Sequence, residues 1–232
     1  MDEKVFKRFD GDRVTDDMLE EASKLFSENY PRIMGRVCLF IARFGISSYV
    51  RVSVNGRLAG NAFACRWAVD GMTICWVTQL VVHRDYRERG LASGLLNKIK
   101  LDGDDAYGLI SSHPAACLAA SKAFRSSINT VSLDFMKDHA ESIMKASPEG
   151  YVRDAKLRGK LFDPKDDNGL VSSVDTEFDV DHEEPLEALA WVRESMEWPL
   201  GELFDGHEFI LILQARRRSR PRSSSARRSG TT

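Results

Sequence analysis

A chain of 232 residues with 43% apolar and 29% charged residues has the make-up of one globular domain with a sizeable core, and no apolar run approaches the ~18 residues a membrane helix needs. The formal net charge of −2 is unevenly spread: seven arginines and no acid lie between Arg216 and Arg228, so the rest of the chain carries −9. No apolar h-region follows the Met-Asp-Glu-Lys start, and Cys38, Cys65, Cys75 and Cys117 fall at unrelated spacings, so the expectation is reduced, buried thiols, no metal centre and an intracellular protein, cytoplasmic or nuclear.

In chain order, Val5 to Phe9 predicts a short strand. Thr15 suits the cap of a helix whose stripe is Met18, Leu19, Ala22, Leu25 and Phe26, with Asp16 and Asp17 at its positive end. Pro31 opens a second helix, apolar nearly all round, that Gly45 ends. From Ser47 the period turns to two. Asn55-Gly56 and Asp70-Gly71 predict tight hairpins, joining 47–54, 58–69 and 73–82 into three antiparallel strands. The third is apolar on both alternating faces, as a central strand covered on both sides would be.

From Gly90 the period becomes 3.6, with Leu91, Leu95 and Ile99 four apart and Ala92 and Leu96 beside them, so the central strand runs through a turn into a helix over 90–101. The turn, Arg87-Glu88-Arg89-Gly90-Leu91-Ala92, leaves the first N–H groups of that helix without partners in their own chain and suits a phosphate. A strand over 107–112 follows, parallel to the central one through a crossover, and Pro114 opens a helix containing Cys117, Leu118, Ala120, Ala123 and Phe124.

Arg87, Gly90 and Ala92, set between that strand and that helix, resemble motif A of the GNAT acetyltransferase superfamily: Arg or Gln, two residues, Gly, one residue, Gly or Ala. The order strand, two helices, three antiparallel strands, helix, strand, helix is also that of the GNAT fold, so the resemblance extends over about residues 5 to 126. It implies an α/β fold with a mixed sheet, antiparallel strands plus a parallel βαβ crossover, flanked by helices. The implied activity is transfer of an acetyl group from acetyl-CoA to a primary amine by direct attack in a ternary complex. Carried over by position, Leu80, Val81 and Val82 offer backbone N–H groups to the thioester and pantetheine, where donors would hold the developing oxyanion. Arg87, Glu88, Arg89, Gly90, Leu91 and Ala92 form the pyrophosphate loop, and His113 takes the position that contacts the pantetheine arm.

Two positions depart from the family. Its basic glutamate falls near Thr78 or Gln79, neither of which takes a proton at neutral pH, and its acidic tyrosine aligns with Ala120, leaving Ser121 or a water as donor. Ser121 and His113 are therefore the catalytic candidates, and a non-catalytic acyl-CoA-binding or interaction protein is the alternative to an enzyme. A Cys117 acyl-carrier role, four residues from His113, ranks below a buried thiol. Trp67 and Trp76 read as core. Tyr30 lies where the family admits its acceptor.

Past Phe124 the pattern predicts a helix over 134–145, a strand over 170–180 with an acidic face of Asp175, Glu177, Asp179 and Asp181, a helix over 184–196 with Leu186, Leu189, Ala190 and Val192 inward, and a last strand over 209–213. The acidic face reads as a solvated edge strand or as an attractor for a cationic amine. The domain is assigned to 1–215, with 131–206 an enlarged wall or lid on the acceptor side. The Arg/Ser-rich tail, 216–232, buries too little to order alone and is the only segment that suits a nucleic acid.

Overall fold

The computed structural model describes residues 2–29, 47–177 and 181–215, so the expected second helix, Tyr30, Cys38, Asp179 and the basic tail lie outside the described residues. Strand β1 (Lys4–Asp10) leads to α1 (Asp16–Asn29), and the Thr15 hydroxyl accepts from the Met18 N–H at 3.3 Å, as the cap reading requires. Strands β2 (Ser48–Val54), β3 (Arg57–Val69) and β4 (Met72–Val82) form the two expected hairpins. Both turns hold two residues at positive φ, Asn55 (50°) with Gly56 (80°) and Asp70 (51°) with Gly71 (74°), the turn type whose twist matches its strands.

After β4 come α2 (Leu91–Ile99), β5 (Ala106–Ser111) and α3 (Pro114–Ala123). Then follow α4 (Leu133–Lys145), a single turn α5 (Gly150–Arg153), the short strands β6 (Lys156–Arg158) and β7 (Ser173–Asp175), α6 (Glu183–Ser195) and β8 (His207–Gln214). One eight-stranded sheet runs β1-β2-β3-β4-β5-β8-β7-β6, antiparallel throughout except between β4 and β5. This is the mixed α/β sheet that the sequence implied. Among the described residues no helix is long and apolar enough to cross a membrane.

Side-chain alternation on β3 sorts the helices. A Cβ at Gly60 would lie 3.3 Å from Leu95, so α2 covers the face of residues 60, 62 and 64, and α3 packs beside it. Phe63 packs with Leu19, Ala22 and Tyr49, and the Trp67 indole N–H donates to the Ile143 carbonyl at 3.1 Å, so α1 and α4 share the other face. Trp67 and Trp76 are core residues, their rings 5.8 Å apart. A buried bidentate pair, Arg66 Nε and Nη2 on Asp104 at 2.7 and 3.1 Å, with a further Nη2 bond of 2.6 Å to the Ile99 carbonyl, ties the end of α2 to β3.

Three expectations change. Of the strand expected over 170–180, residues 178–180 lie outside the described ones, and among the rest only Ser173–Asp175 forms strand: the Asp175 carboxylate accepts from the Glu177 N–H, and Glu177 turns to φ 56°. Its acidic residues are partly neutralised, Asp175 by Arg158 and Glu177 by Lys156. On α6, Pro185 and Leu189 face inward whereas Leu186 and Ala190 are exposed, because the helix rests on α3 by one narrow stripe. Finally, 131–206 is not one lid: α4 covers a sheet face, β6 and β7 widen the sheet, and α6 sits against α3.

Gly108 holds the parallel pair together. The Trp76 ring lies over it so closely that an added Cβ would stand 2.1 Å from Cε3. Gly108→Ala should therefore cost about 3 kcal/mol by overpacking, read as a lower midpoint in urea. A shift below ~0.5 kcal/mol would mean that the indole has room to move.

Candidate functional site

Strand β4 carries one extra residue. Phe63 pairs with Gln79 and Ala64 with Val77, so Thr78 is a bulge, and bulges bend the strand that carries them. On its other edge β4 pairs with β5 only from Ile74↔Ala106 to Val77↔Leu109. Beyond that point β4 runs on to Val82 and β5 to Ser111 with no ladder between them. A cavity of about 720 Å³ occupies the gap, walled by Thr78, Leu80 and Val82 of β4, the turn and first residues of α2, the end of β5, one side of α3, and Tyr151, Glu184 and Glu208.

At one end stands the turn before α2. Gly90 caps the helix at φ 75°, a conformation L side chains rarely adopt, and a Cβ there would meet nothing within 4 Å. The backbone is thus open to an incoming anion at the positive end of a nine-residue helix.

The sequence candidates divide by position. Leu80, Val82, Arg87, Glu88, Gly90, Leu91, Ala92 and His113 line the cavity. Val81 is buried outside the lining, and Arg89 turns away: its guanidinium is 3.4 Å from the Asp2 carboxylate and 5.4 Å from the centre of the Tyr86 ring. Only one of the two arginines is therefore placed to meet a phosphate. Arg87 itself is engaged, donating to the Val82 carbonyl at 3.3 Å and pairing with Glu184, whose carboxylate also lies 3.6 Å from His113 Nε2.

His113 caps α3, Nδ1 accepting from the Ala115 N–H at 3.1 Å, which puts the ring proton on Nε2, toward Glu184. Burial pushes its pKa down, Glu184 pulls it up and Arg87 pushes it down again; the net direction is down, so the ring is neutral at physiological pH. Ser121, the other catalytic candidate, lies apart from the cavity. It is buried and outside the lining, because α3 turns Ala115, Ala116, Leu118, Ala119 and Lys122 to the cavity and Ser121 to the core. Cys117 is fully buried, and its thiol is pushed up to about 12 by that burial, which leaves no thiolate for an acyl-carrier role.

Three lining residues were not singled out from the sequence. Tyr151 of α5 donates to the Thr78 carbonyl at 3.4 Å, and burial raises its phenol well above the ordinary range. Glu184 is the carboxylate across from the turn. Glu208 of β8 is half-buried; burial raises its pKa, against the Thr176 hydroxyl and the Ser112 N–H, which both favour the charged form. The one available sequence signal was an acid opening the apolar run 209–213.

The sequence resemblance implied a central strand running into the glycine turn of α2; the bulge at Thr78 and the parting of β4 from β5 come from the structure alone. The mixed sheet and the element order are those that the GNAT resemblance implied. No family model matches the chain, and no curated protein does. Solved structures that match part of the chain include acetyltransferases. An aminoglycoside 6'-N-acetyltransferase complexed with coenzyme A is 18% identical, with a TM-score of 0.38 over 46% of this chain and 61% of its own. ElaA from Escherichia coli is 11% identical, with a TM-score of 0.41 over 47% of this chain and 78% of its own. A GCN5-related glucosamine N-acetyltransferase region of a fungal multi-domain beta-N-acetylglucosaminidase is 16% identical, at 0.39 over 47% of this chain, which spans 14% of that protein.

Glu184 sets a carboxylate beside the Gly90 turn and holds Arg87, the one arginine among the described residues that line the cavity. Glu184→Gln should tighten binding of pyrophosphate or coenzyme A several-fold in calorimetry at low salt, with the gain shrinking as salt screens the charge. Weaker binding would mean that Glu184 orients Arg87 for the ligand.

Proposed function

We propose that this chain is an N-acetyltransferase of the GNAT superfamily, moving an acetyl group from acetyl-CoA to a primary amine by direct attack. The observation that carries the reading is the slot between β4 and β5, opening at one end on the Gly90 turn and reaching at the other a group of ionisable side chains. A pyrophosphate fits the backbone at Gly90, with Arg87 adding charge-assisted contacts once Glu184 yields it. The pantetheine arm suits the largely apolar channel between Leu80, Val82 and the alanines of α3, with His113 beside it as a neutral donor.

The thioester carbonyl then meets the edge of β4 beyond Val77, where β5 no longer pairs with it, and backbone N–H groups there would hold the oxyanion as the amine adds. Holding donor and acceptor together supplies most of the acceleration such a site needs. Glu88, Asp181, Glu184 and Glu208 in the lining favour a cationic acceptor over an anionic one.

Acetyl-CoA should raise the melting temperature of the full chain, and Gly90→Asp should abolish the shift, because the new carboxylate repels pyrophosphate and strains the turn. Thiol release should follow when primary amines and lysine peptides are supplied. A Gly90→Asp chain that folds and binds acetyl-CoA with unchanged affinity would contradict the reading. Tight binding with no thiol release from any amine would leave an acyl-CoA-binding protein.

A further inference from the structure

The central strand offers no group able to take a proton, since Thr78 and Gln79 stand where a base would be expected. The cavity has other carboxylates. Glu88 lies in the turn, Glu184 is held by Arg87 with His113 at 3.6 Å, and Asp181 is exposed at the start of α6, where it accepts from the Glu183 N–H at 3.0 Å. Glu208 differs from all three. It comes from the far side of the slot, opposite Ser112 and one residue beyond the last β5–β8 pair, Ser111↔Phe209.

Alternation along the strands fixes which way it points. Trp76 and Gly108 stack on the face covered by α4, Gly108 pairs with Ile212, and Glu208 lies four residues from Ile212 on that same face. Tyr151 joins it there and reaches the bulge at Thr78. Glu208 thus stands on the side of the slot away from α2 and α3, near the strand edge where the thioester carbonyl would lie.

Resting on the acetyl-transfer reading, we propose that Glu208 is the catalytic base, taking a proton from the acceptor ammonium on the face of the sheet that carries α4 and α5. The neutral amine nitrogen bonds to the thioester carbon, the C–S bond breaks, the departing sulfur takes up the second proton shed by that nitrogen, and Glu208 returns its proton to water. The site's chemistry suits the task. Thr176 Oγ1 donates to Oε2 at 3.0 Å and fixes the carboxyl, and no arginine, lysine or histidine among the described residues forms an ion pair with it. The ionisable groups that feel it electrostatically are Tyr151 of α5 on its own face and Cys117 of α3 across the sheet, both held neutral by burial, so neither drives it to ionise early.

Glu208→Gln keeps the shape and still accepts from Thr176. In a thiol-release assay with a primary amine, it should lower kcat by ~10²–10⁴-fold with calorimetric acetyl-CoA affinity unchanged. The wild-type rate should rise with pH through the raised carboxyl pKa and then level off, whereas the variant should climb without a plateau toward the pKa of the amine. Thr176→Val removes a bond that favours the charged carboxylate, so its inflection should move to higher pH. That shift would not arise if Glu208 only held the wall, and it can be read even if Glu208→Gln fails to fold. Wild-type turnover matched by Glu208→Gln, or an inflection unmoved by Thr176→Val, would overturn the assignment and leave the acetyl-transfer reading intact. Acetyl-CoA binding with no turnover in the wild type would overturn both.

Discussion

The site depends on one pairing coming to an end. β4 and β5 are bonded as far as Val77 and Leu109, and then the bulge at Thr78 bends β4 away. Every other feature follows from that separation: the β4 edge that β5 leaves, the apolar channel, and room for side chains of α3, α5, α6 and β8 to reach one volume. The separation is held from both sides. Trp76 over Gly108 locks the closed end, and the buried Arg66–Asp104 pair ties the chain between α2 and β5 to β3.

The arrangement also carries an electrostatic cost. A half-buried glutamate without a cationic partner is less stable ionised than it would be in water, so the folded chain becomes less stable as pH rises from the ordinary glutamate range through its raised pKa. Groups kept in such surroundings cluster at functional sites. Glu184 has the opposite character: it is paired and half-exposed, and it presents a carboxylate beside a turn suited to phosphate. The Gly90 end of the slot is therefore restrained by an ion pair within the chain, while the Glu208 end is poised by burial.

Local signals gave most of the architecture. Asn55-Gly56 and Asp70-Gly71 fix their hairpins through residues that accept positive φ, and the change of period at Gly90 marks strand into helix within a few residues. What eluded the sequence was set by distant contacts. Glu184 meets Arg87 across 97 positions, and Glu208 faces Tyr151 and Thr176 only because β8 inserts between β5 and β7. The short elements α5 and β6 lie in a stretch rich in charge, Pro and Gly, whose structure comes from packing rather than propensity. Among the described residues the strand expected over 170–180 stops at Asp175 for a local reason, the turn that Asp175 and Glu177 make.

Amide hydrogen exchange of the full chain, with and without coenzyme A, tests the central claim most directly, since it reports where a ligand sits without requiring turnover. Added protection should concentrate in 78–92, across the β4 edge that β5 leaves and the Gly90 turn, and in 111–119, where β5 gives way to α3. Protection confined to other segments, or none at saturating coenzyme A, would contradict the account of the slot.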